Sequence, residues 1–417
     1  MSEDGRRWFG ELPARWAAAP IVYHFEVVLG KMINARNEVS DAVSAPYLAA
    51  GSIQPEHLVL DETKRMNFSK AELRKYALKR DDIVVVEGGA GYGRSHLLKN
   101  DLVGWGFQNH VARVRQRSGS IMPGFLLYCL KACLASGHIE ANNRTATLPS
   151  LSREVLGAII APVPPPDEQR AIVYYLDHET AQIDALVAKQ DEFIGLLRER
   201  RSRVREVLAD RVNAGARLRW ALREVDQRVG SGSAELPLLS VSIDWGVRRR
   251  DDTTDKLARA EDLSHYKVCF KGDIVVNRMR AFQGALGVAP IEGIVSPDYA
   301  VLRAASDVHP HWLAEVMRTK AFVGEIVLRL RGIGGTDSGN VRTPRINTAD
   351  LLDIRADIPG LDTQYGELMN LTTETTRIDA LIAKAEEHIA LAKERRSALI
   401  TAAVTGQIDV RTARMAG

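Results

Sequence analysis

The sequence Ile183-Asp184-Ala185-Leu186-Val187-Ala188-Lys189 occurs a second time, with one conservative change, as Ile378-Asp379-Ala380-Leu381-Ile382-Ala383-Lys384. The two copies start 195 residues apart, and the same offset carries Glu199-Arg200-Arg201-Ser202 onto Glu394-Arg395-Arg396-Ser397. Repeats in solenoids and propellers are only ~20–50 residues long. An offset this long indicates that a whole domain was duplicated together with the helix that follows it, and it predicts a pseudo-twofold molecule.

Each copy lies in a long segment that has the periodicity of a helix. Residues 167–209 contain no proline and a single glycine, and they follow Pro164-Pro165-Pro166, where Asp167 can cap a helix N-terminus. A heptad frame that starts at Ile183 or at Ile378 has apolar residues at six of its eight positions, which is typical of a coiled coil. The frame positions are Ile183, Leu186, Gln190, Phe193, Leu197, Arg200, Val204 and Val207 in the first copy, and Ile378, Leu381, Ala385, His388, Ala392, Arg395, Leu399 and Ala402 in the second. We expect two helices of roughly 60 Å that pack on each other in an antiparallel arrangement.

The sequence before each helix predicts a mixed α/β (α+β) domain. Asp82-Ile83-Val84-Val85-Val86 and Asp273-Ile274-Val275-Val276 are β-branched runs that predict strands, and a glycine-rich stretch follows each of them. Further helices are expected near residues 123–136 and 310–330. The predicted organisation is a globular domain over residues 1–163, a helix over 164–216, a second globular domain over 217–358 and a second helix over 359–417.

The composition is that of an ordinary globular protein, with 45% hydrophobic residues, 26% charged residues and a net charge of +3. The polar start, MSEDGRRWFG, is unlike a signal peptide, and no apolar run reaches the ~18 residues of a membrane span, so we expect a cytoplasmic protein. Cys129 and Cys133 are one helical turn apart, which favours a buried helix face over a metal or redox site. The small net charge does not decide for or against nucleic acid, because binding depends on where the charge lies.

The repeat and several local motifs resemble the specificity (S) subunit of type I restriction–modification systems over essentially the whole chain. These motifs are Trp8-Phe9-Gly10-Glu11-Leu12-Pro13, Gly106-Phe107-Gln108-Asn109-His110, Pro164-Pro165-Pro166-Asp167-Glu168-Gln169, Gly272-Asp273-Ile274-Val275-Val276-Asn277-Arg278-Met279, Gly293-Ile294-Val295-Ser296-Pro297-Asp298-Tyr299 and Glu394-Arg395-Arg396-Ser397-Ala398-Leu399-Ile400. The second copy departs from the proline-rich helix start and reads Pro359-Gly360-Leu361-Asp362-Thr363-Gln364.

The resemblance implies two target recognition domains joined by two long helices that form an antiparallel coiled coil. Each domain would read one half of a bipartite, asymmetric site in double-stranded DNA, and the helices would set the spacer and dock two methyltransferase (M) subunits. The S subunit of such systems is not an enzyme. Methyl transfer from S-adenosylmethionine belongs to the M subunits, and ATP-driven translocation and cleavage belong to the restriction (R) subunits. The resemblance thus implies no cofactor on this chain and a role in DNA methylation and phage defence.

Three fragments suggest catalytic or ligand-binding chemistry but are incomplete. Ser296-Pro297-Asp298-Tyr299 lacks the second proline of the amino-methyltransferase motif, which favours a strand edge with a buried tyrosine. Residues 88–93 form a glycine-rich stretch after a strand, without the Gly-Lys-Ser/Thr ending of a P-loop. This stretch is either a turn that lets the backbone approach DNA phosphates or a plain tight turn. His309 and His311 have no third metal ligand nearby in the sequence, which favours a structural role.

The candidate DNA-contacting residues lie in the glycine-rich stretches and in the polar segments near them. Arginine, asparagine and glutamine side chains carry donors and acceptors that match guanine and adenine edges. The candidates are Tyr92, Arg94, Ser95, Gln108, Asn109, His110, Asn277, Arg278, Arg280, Gln283, Asn340, Arg342 and Arg345. For each of them the alternatives are a phosphate contact or no DNA contact.

Two other functions stay open at the level of sequence. One is a coiled-coil scaffold with two ligand-binding or protein-binding heads. The other is an orphan methylation or phage-defence system that uses the same type of subunit without a nuclease. No motif specifies which DNA sequence is recognised.

Overall fold

The computed structural model describes residues 8–32, 42–55, 57–138, 150–230, 236–243, 245–250, 263–330 and 344–413. The chain divides into two compact units. Unit 1 comprises Met1–Gln190 and Glu387–Gly417, and unit 2 comprises Asp191–Glu386. Within the described ranges, no helix combines the length and the apolar character that a membrane span requires.

Unit 1 is an α/β unit built around a four-stranded antiparallel sheet. Its described strands are β1 (Ala17–Pro20), β2 (Phe25–Leu29), β3 (Val43–Leu48), β4 (Arg65–Phe68), β5 (Ile83–Val86), β6 (Ser95–Leu97), β7 (Gly106–Phe107), β8 (Val111–Gln116) and β9 (Ile160–Val163). The central sheet has the order β2-β8-β5-β6, a second sheet has the order β4-β3-β7, and β1 pairs with β9. The short helices are Lys70–Lys75, Pro123–Ala135, Arg153–Ala158 and Val410–Ala413. All four residues of β5 are buried, as expected for a β-branched run in the middle of a sheet.

Unit 2 has the same type of central sheet. Its described strands are β10 (Val212–Arg217), β11 (Leu222–Glu224), β12 (Leu239–Ser242), β13 (Gly246–Arg249), β14 (Lys267–Cys269), β15 (Ile274–Asn277), β16 (Leu286–Val288), β17 (Gly293–Val295), β18 (Tyr299–Ala304) and β19 (Arg355–Ala356). The central sheet has the order β11-β18-β15-β16, and β12-β13, β14-β17 and β10-β19 form pairs. The short helices are Pro310–Met317, Lys320–Leu328 and Thr348–Leu352. The single helix predicted near 310–330 is therefore two helices, because the Thr319 hydroxyl accepts the Phe322 N–H and starts a new one.

Each central sheet contains an equivalent ion pair between an arginine and an aspartate. In unit 1, Arg115 on β8 donates two hydrogen bonds of 2.7 Å to Asp82, the residue before β5. In unit 2, Arg303 on β18 donates two hydrogen bonds of 2.8 Å to Asp273, the residue before β15. Both carboxylates are buried, and such bidentate pairs are the stronger kind of ion pair. The duplication predicted from the repeat is thus present in the fold.

The first long helix, Pro166–Arg205, is joined to unit 1 by the side chain of Gln169. This side chain is only 1% exposed. Its Oε1 accepts the Met122 N–H at 2.7 Å, and its Nε2 donates to the carbonyls of Ser120 and Pro164, both at 2.8 Å. One amide therefore ties the loop before a domain helix to the first turn of the long helix.

The second long helix, Leu361–Val404, carries the equivalent glutamine, Gln364, 195 residues after Gln169. Gln364 is fully buried. Its Oε1 accepts the His309 N–H at 2.7 Å, and its Nε2 donates to the carbonyls of Asp307 at 2.9 Å and Pro359 at 2.7 Å. We call these two networks the glutamine clamps. Each one fixes a long helix to the domain that precedes it.

The buried stripe of the long helices follows a heptad frame that agrees with the predicted one at every second position. The other predicted positions are wrong by one residue. Leu186 and Phe193 are 49% and 42% exposed, whereas Val187 is half-buried and Ile194 is buried. At both places two apolar residues are adjacent in the sequence. The buried one lies four positions after the preceding stripe residue, whereas the predicted frame chose the one three positions after it. The stripe consists of Ile183, Val187, Gln190, Ile194, Leu197, Arg201 and Val204 in the first helix, and Ile378, Ile382, Ala385, Ile389, Ala392, Arg396, Leu399 and Ala403 in the second. Arg200 and Arg395, which the predicted frame placed in the stripe, are exposed.

Within unit 2 the two helix segments run antiparallel, as predicted. Nη2 of Arg198 lies 3.2 Å from Oε1 of Glu386, and Nε of Arg201 lies 2.6 Å from Oδ1 of Asp379. As the residue number rises on the first helix, it falls on the second. These pairs are exposed, so each is expected to contribute less than about 1 kcal/mol.

Unit 1 contains the counterpart of one of these ion pairs with the helices exchanged. Arg396 on the second helix lies 2.9 Å from Asp184 on the first helix. The 195-residue repeat carries Asp184 onto Asp379 and Arg201 onto Arg396. The first helix thus supplies the aspartate of this pair in unit 1 and the arginine in unit 2, and the second helix does the reverse.

We predict that Gln169→Leu lowers the free energy of unfolding by about 3 kcal/mol. The substitution leaves one N–H and two carbonyls without their buried partner, and an unsatisfied buried group costs ~1–3 kcal/mol. Urea denaturation measures the loss. Gln182→Leu, at an exposed position of the same helix, should change stability by less than about 0.5 kcal/mol. Equal losses in both variants would show that the clamp does not hold the helix.

Candidate nucleic-acid interface

In each unit, two neighbouring strands of the central sheet are joined by a loop of the same length. Loop A, residues 87–94, joins β5 to β6, and loop B, residues 278–285, joins β15 to β16. Each loop contains one short 3-10 turn, Gly89–Gly91 in loop A and Ala281–Gln283 in loop B. Both glycine-rich stretches that contain candidate DNA contacts are hairpin loops at the corresponding place in their central sheets.

Both loops depend on a glycine at the same position, one residue before the last. Gly93 has a φ of +77° and Gly284 a φ of +81°, values that side-chain-bearing residues rarely adopt. A Cβ atom on Gly93 would also lie 2.6 Å from the Leu134 side chain. These glycines let the chain return to the sheet in a tight turn. The rest of the loop backbone differs, since the third residue has a φ of +80° at Gly89 in loop A and of −124° at Arg280 in loop B.

Loop A lies beside the turn that carries Gln108, Asn109 and His110. The Glu87 N–H donates to the His110 carbonyl at 2.9 Å, and Nδ1 of His110 lies 3.4 Å from a carboxylate oxygen of Glu87. The Ser150 hydroxyl donates to the other carboxylate oxygen. The structure therefore brings together two sets of candidates that are on separate elements. Glu87 was not among the candidates, although its place directly after a β-branched run is a signal for a strand-end functional residue.

The loop A candidates differ in exposure. Tyr92 and Arg94 are half-buried, as are Gln108 and Asn109 on the neighbouring turn, and His110 is exposed. Ser95 is only 4% exposed, and its hydroxyl oxygen has no hydrogen-bond partner among the described residues. Ser95 is the first residue of β6 and faces the interior, so this conformation does not offer its side chain to DNA. Ser95 stays a predicted DNA contact that this conformation does not support.

In loop B, two candidates stabilise the loop itself. Asn277 is only 6% exposed, and its Oδ1 accepts the Met279 N–H at 3.2 Å while its Nδ2 lies 3.4 Å from the Tyr299 hydroxyl. Nε of Arg278 donates to the carbonyl of Asp298 at 2.7 Å. Asn277 likewise stays a predicted DNA contact, but here it ends a buried strand and caps the turn that follows.

The exposed candidates of unit 2 gather around loop B. Arg280 and Gln283 lie on the loop and are exposed. The Ile346 N–H donates to the Arg278 carbonyl at 3.2 Å, which brings the exposed Arg345 next to the loop. Asn340 and Arg342 lie outside the described residues.

Two arginine side chains lie near Tyr299, which is at the base of loop B. Burial raises the pKa of Tyr299, while the charges of Arg280 and Arg250 lower it, so both guanidinium groups act on this hydroxyl. Guanidinium groups placed around a polar loop suit a phosphate backbone and base edges.

The fragments that suggested other chemistry have structural roles. Tyr299 begins β18, as the strand-edge interpretation predicts, but its side chain is half-buried rather than buried. His309 accepts the Trp312 N–H at the start of the helix Pro310–Met317, and its ring packs against Tyr365 with centroids 4.7 Å apart. Burial lowers the pKa of His311, and His309 adds to this effect. Among the described residues, no group of three His, Cys, Asp or Glu side chains is placed to hold a metal ion.

We predict that Asn277→Ala and Arg280→Ala separate a loop-forming residue from a solvent-facing one. Asn277→Ala should lower the free energy of unfolding by about 1–2 kcal/mol, because it removes the acceptor of the Met279 N–H in a buried place. Arg280→Ala should change it by less than about 0.5 kcal/mol. Thermal denaturation measures both. A destabilising Arg280→Ala with a neutral Asn277→Ala would reverse these assignments.

Comparison with known proteins places this architecture among related folds. Residues 25–192 match the family described as "Type I restriction modification DNA specificity domain". A solved structure from work on complex assembly and conformational transition of the type I R-M system is 15% identical, with a TM-score of 0.66 over 95% of this chain and 100% of that chain. The crystal structure of the HsdS subunit from Thermoanaerobacter tengcongensis is 18% identical, with a TM-score of 0.55 over 95% of this chain and 98% of that chain. No curated protein matches the sequence significantly. At these identities the solved structures establish a common fold.

Proposed function

We propose that this chain is a type I restriction–modification DNA specificity subunit and that it reads the two halves of a bipartite DNA site with loop A and loop B. The observation that carries the proposal is the pair of equivalent hairpin loops. They share their length, their strand partners and their positive-φ glycine, but they differ in side chains. Equivalent supports with different reading groups suit two unlike half-sites.

The side chains of the loops support base reading in physical terms. Loop B presents Arg280 and Gln283, whose paired donors and acceptors match guanine and adenine edges. Loop A presents Tyr92 and Arg94, with His110 on the adjacent turn. Each base contact that is removed should cost ~1–3 kcal/mol and relax one position of the site.

The two long helices would set the number of base pairs between the half-sites and dock two methyltransferase subunits. Their outer faces offer large exposed side chains for a protein partner, including Leu186, Leu196, Met369 and Leu391. S-adenosylmethionine and ATP would bind to the methyltransferase and restriction subunits. The chain itself would recognise DNA without catalysing a reaction, in a cytoplasmic complex.

The test is the adenine methylation pattern of cells that express the chain with its methyltransferase subunits. Long-read sequencing should find a bipartite motif that disappears when the chain is deleted. Absence of any bipartite methylated motif, with the complex assembled, would refute the proposed function.

We predict that loop variants change one half-site at a time. Arg280→Ala together with Gln283→Ala should relax the half-site read by unit 2, and Arg94→Ala should relax only the other. The matched control is Arg223→Ala, which removes an exposed arginine from β11 of the same unit as loop B. A change in both half-sites from either loop, or an equal change from the control, would contradict the assignment of loops to half-sites.

A further inference from the structure

Each unit builds the same 3-10 turn directly before the first strand of its central sheet. The turns are Ile21–Tyr23 before β2 and Leu218–Trp220 before β11. The residue after the turn has a φ of −112° and a ψ of −21° at His24, and a φ of −104° and a ψ of −22° at Ala221. The backbone is therefore equivalent in both units, although the sequences of the turns share no residue.

The turns are also anchored in the same way. The Ile21 N–H donates to the Ile159 carbonyl at 2.9 Å, and the Leu218 N–H donates to the Ile354 carbonyl at 2.9 Å. Ile21 and Leu218 are fully buried. The two acceptors are 195 residues apart and precede the short strands that lead into the long helices. Each turn is thus fixed to the duplicated framework of its unit.

The third residue of each turn is a large aromatic side chain in solvent. Tyr23 is 72% exposed and Trp220 is 78% exposed. One exposed aromatic side chain on a protein surface needs no explanation. Two of them at the same position of a turn built twice indicate a surface that serves the same purpose in both units.

In each central sheet, the turn and the loop lie at opposite ends of the strands. In unit 1, β2 begins opposite Gln116, the last residue of β8, whereas β5 ends opposite Val111, the first residue of β8. In unit 2, β11 begins opposite Ala304, the last residue of β18, whereas β15 ends opposite Tyr299, the first residue of β18. Tyr23 and Trp220 therefore lie at the strand ends away from loops A and B.

We propose that Tyr23 and Trp220 are equivalent anchor residues for two copies of one protein partner, the methyltransferase subunit. The proposal rests on the proposed function. Two unlike half-sites require different side chains in the two units, as loops A and B have, whereas two copies of one subunit require the same kind of contact twice. Aromatic side chains that become buried are the typical anchors of protein interfaces.

The experiment compares single variants of the full chain in titrations with the purified methyltransferase subunit, followed by native mass spectrometry. The wild-type chain should bind two subunits. Tyr23→Ala and Trp220→Ala should each weaken one of the two binding steps by about 30-fold, as expected for an interface anchor. Tyr23→Phe should retain most of the affinity. The controls are Val103→Ala and Leu328→Ala, which remove side chains that are 88% and 78% exposed.

The outcomes separate this inference from the function on which it rests. Two unchanged binding steps in both alanine variants would overturn the inference and leave the proposed function intact. A loss of DNA affinity with normal subunit binding would also overturn it, by assigning the aromatic side chains to DNA. A wild-type chain that binds no methyltransferase subunit would refute the proposed function itself. One weakened step in each alanine variant, with unchanged controls, is the result that supports the proposal.

Discussion

The glutamine clamp is the interaction on which the rest of the structure depends. In each unit, one buried amide takes up an N–H and two carbonyls and thereby holds the first turn of a long helix to the domain before it. Backbone groups that lose such a partner inside a protein are costly, so the helix cannot rotate or slide without breaking the set. The clamp thus fixes the position of each domain on the long helix that follows it.

Duplication explains which parts of the two units agree and which differ. The clamps, the Asp82–Arg115 and Asp273–Arg303 pairs and the returning glycines of the loops are the same, because each solves a backbone problem that both units share. The exposed residues of loops A and B differ, because they lie outside this shared buried framework. If each loop reads one half-site, as proposed, a framework of this kind allows one half-site to change without disturbing the other.

The sequence predicted the duplication, the strands β5 and β15 and both long helices, because these follow from repeats, β-branched runs and apolar periodicity. It could not predict every residue of the buried stripe of the helices, since Leu186 and Val187 both fit a heptad and only packing selects between them. Nor could it tell that Ser95 and Asn277 face the interior or that Glu87 joins loop A to His110, because these facts depend on partners that are distant in the chain. The sequence contains Gln169 and Gln364 at the 195-residue offset of the repeat, but it does not show which backbone groups their side chains bind.

The most direct measurement inserts one heptad into both long helices, after Gln190 and after Ala385, which are equivalent in the repeat. A whole heptad keeps the buried stripe in register and lengthens each helix by about 10 Å. If the helices set the spacer, the methylated half-sites should move apart by about three base pairs, at ~3.4 Å per base pair. An unchanged spacer in an assembled, active complex would contradict the account.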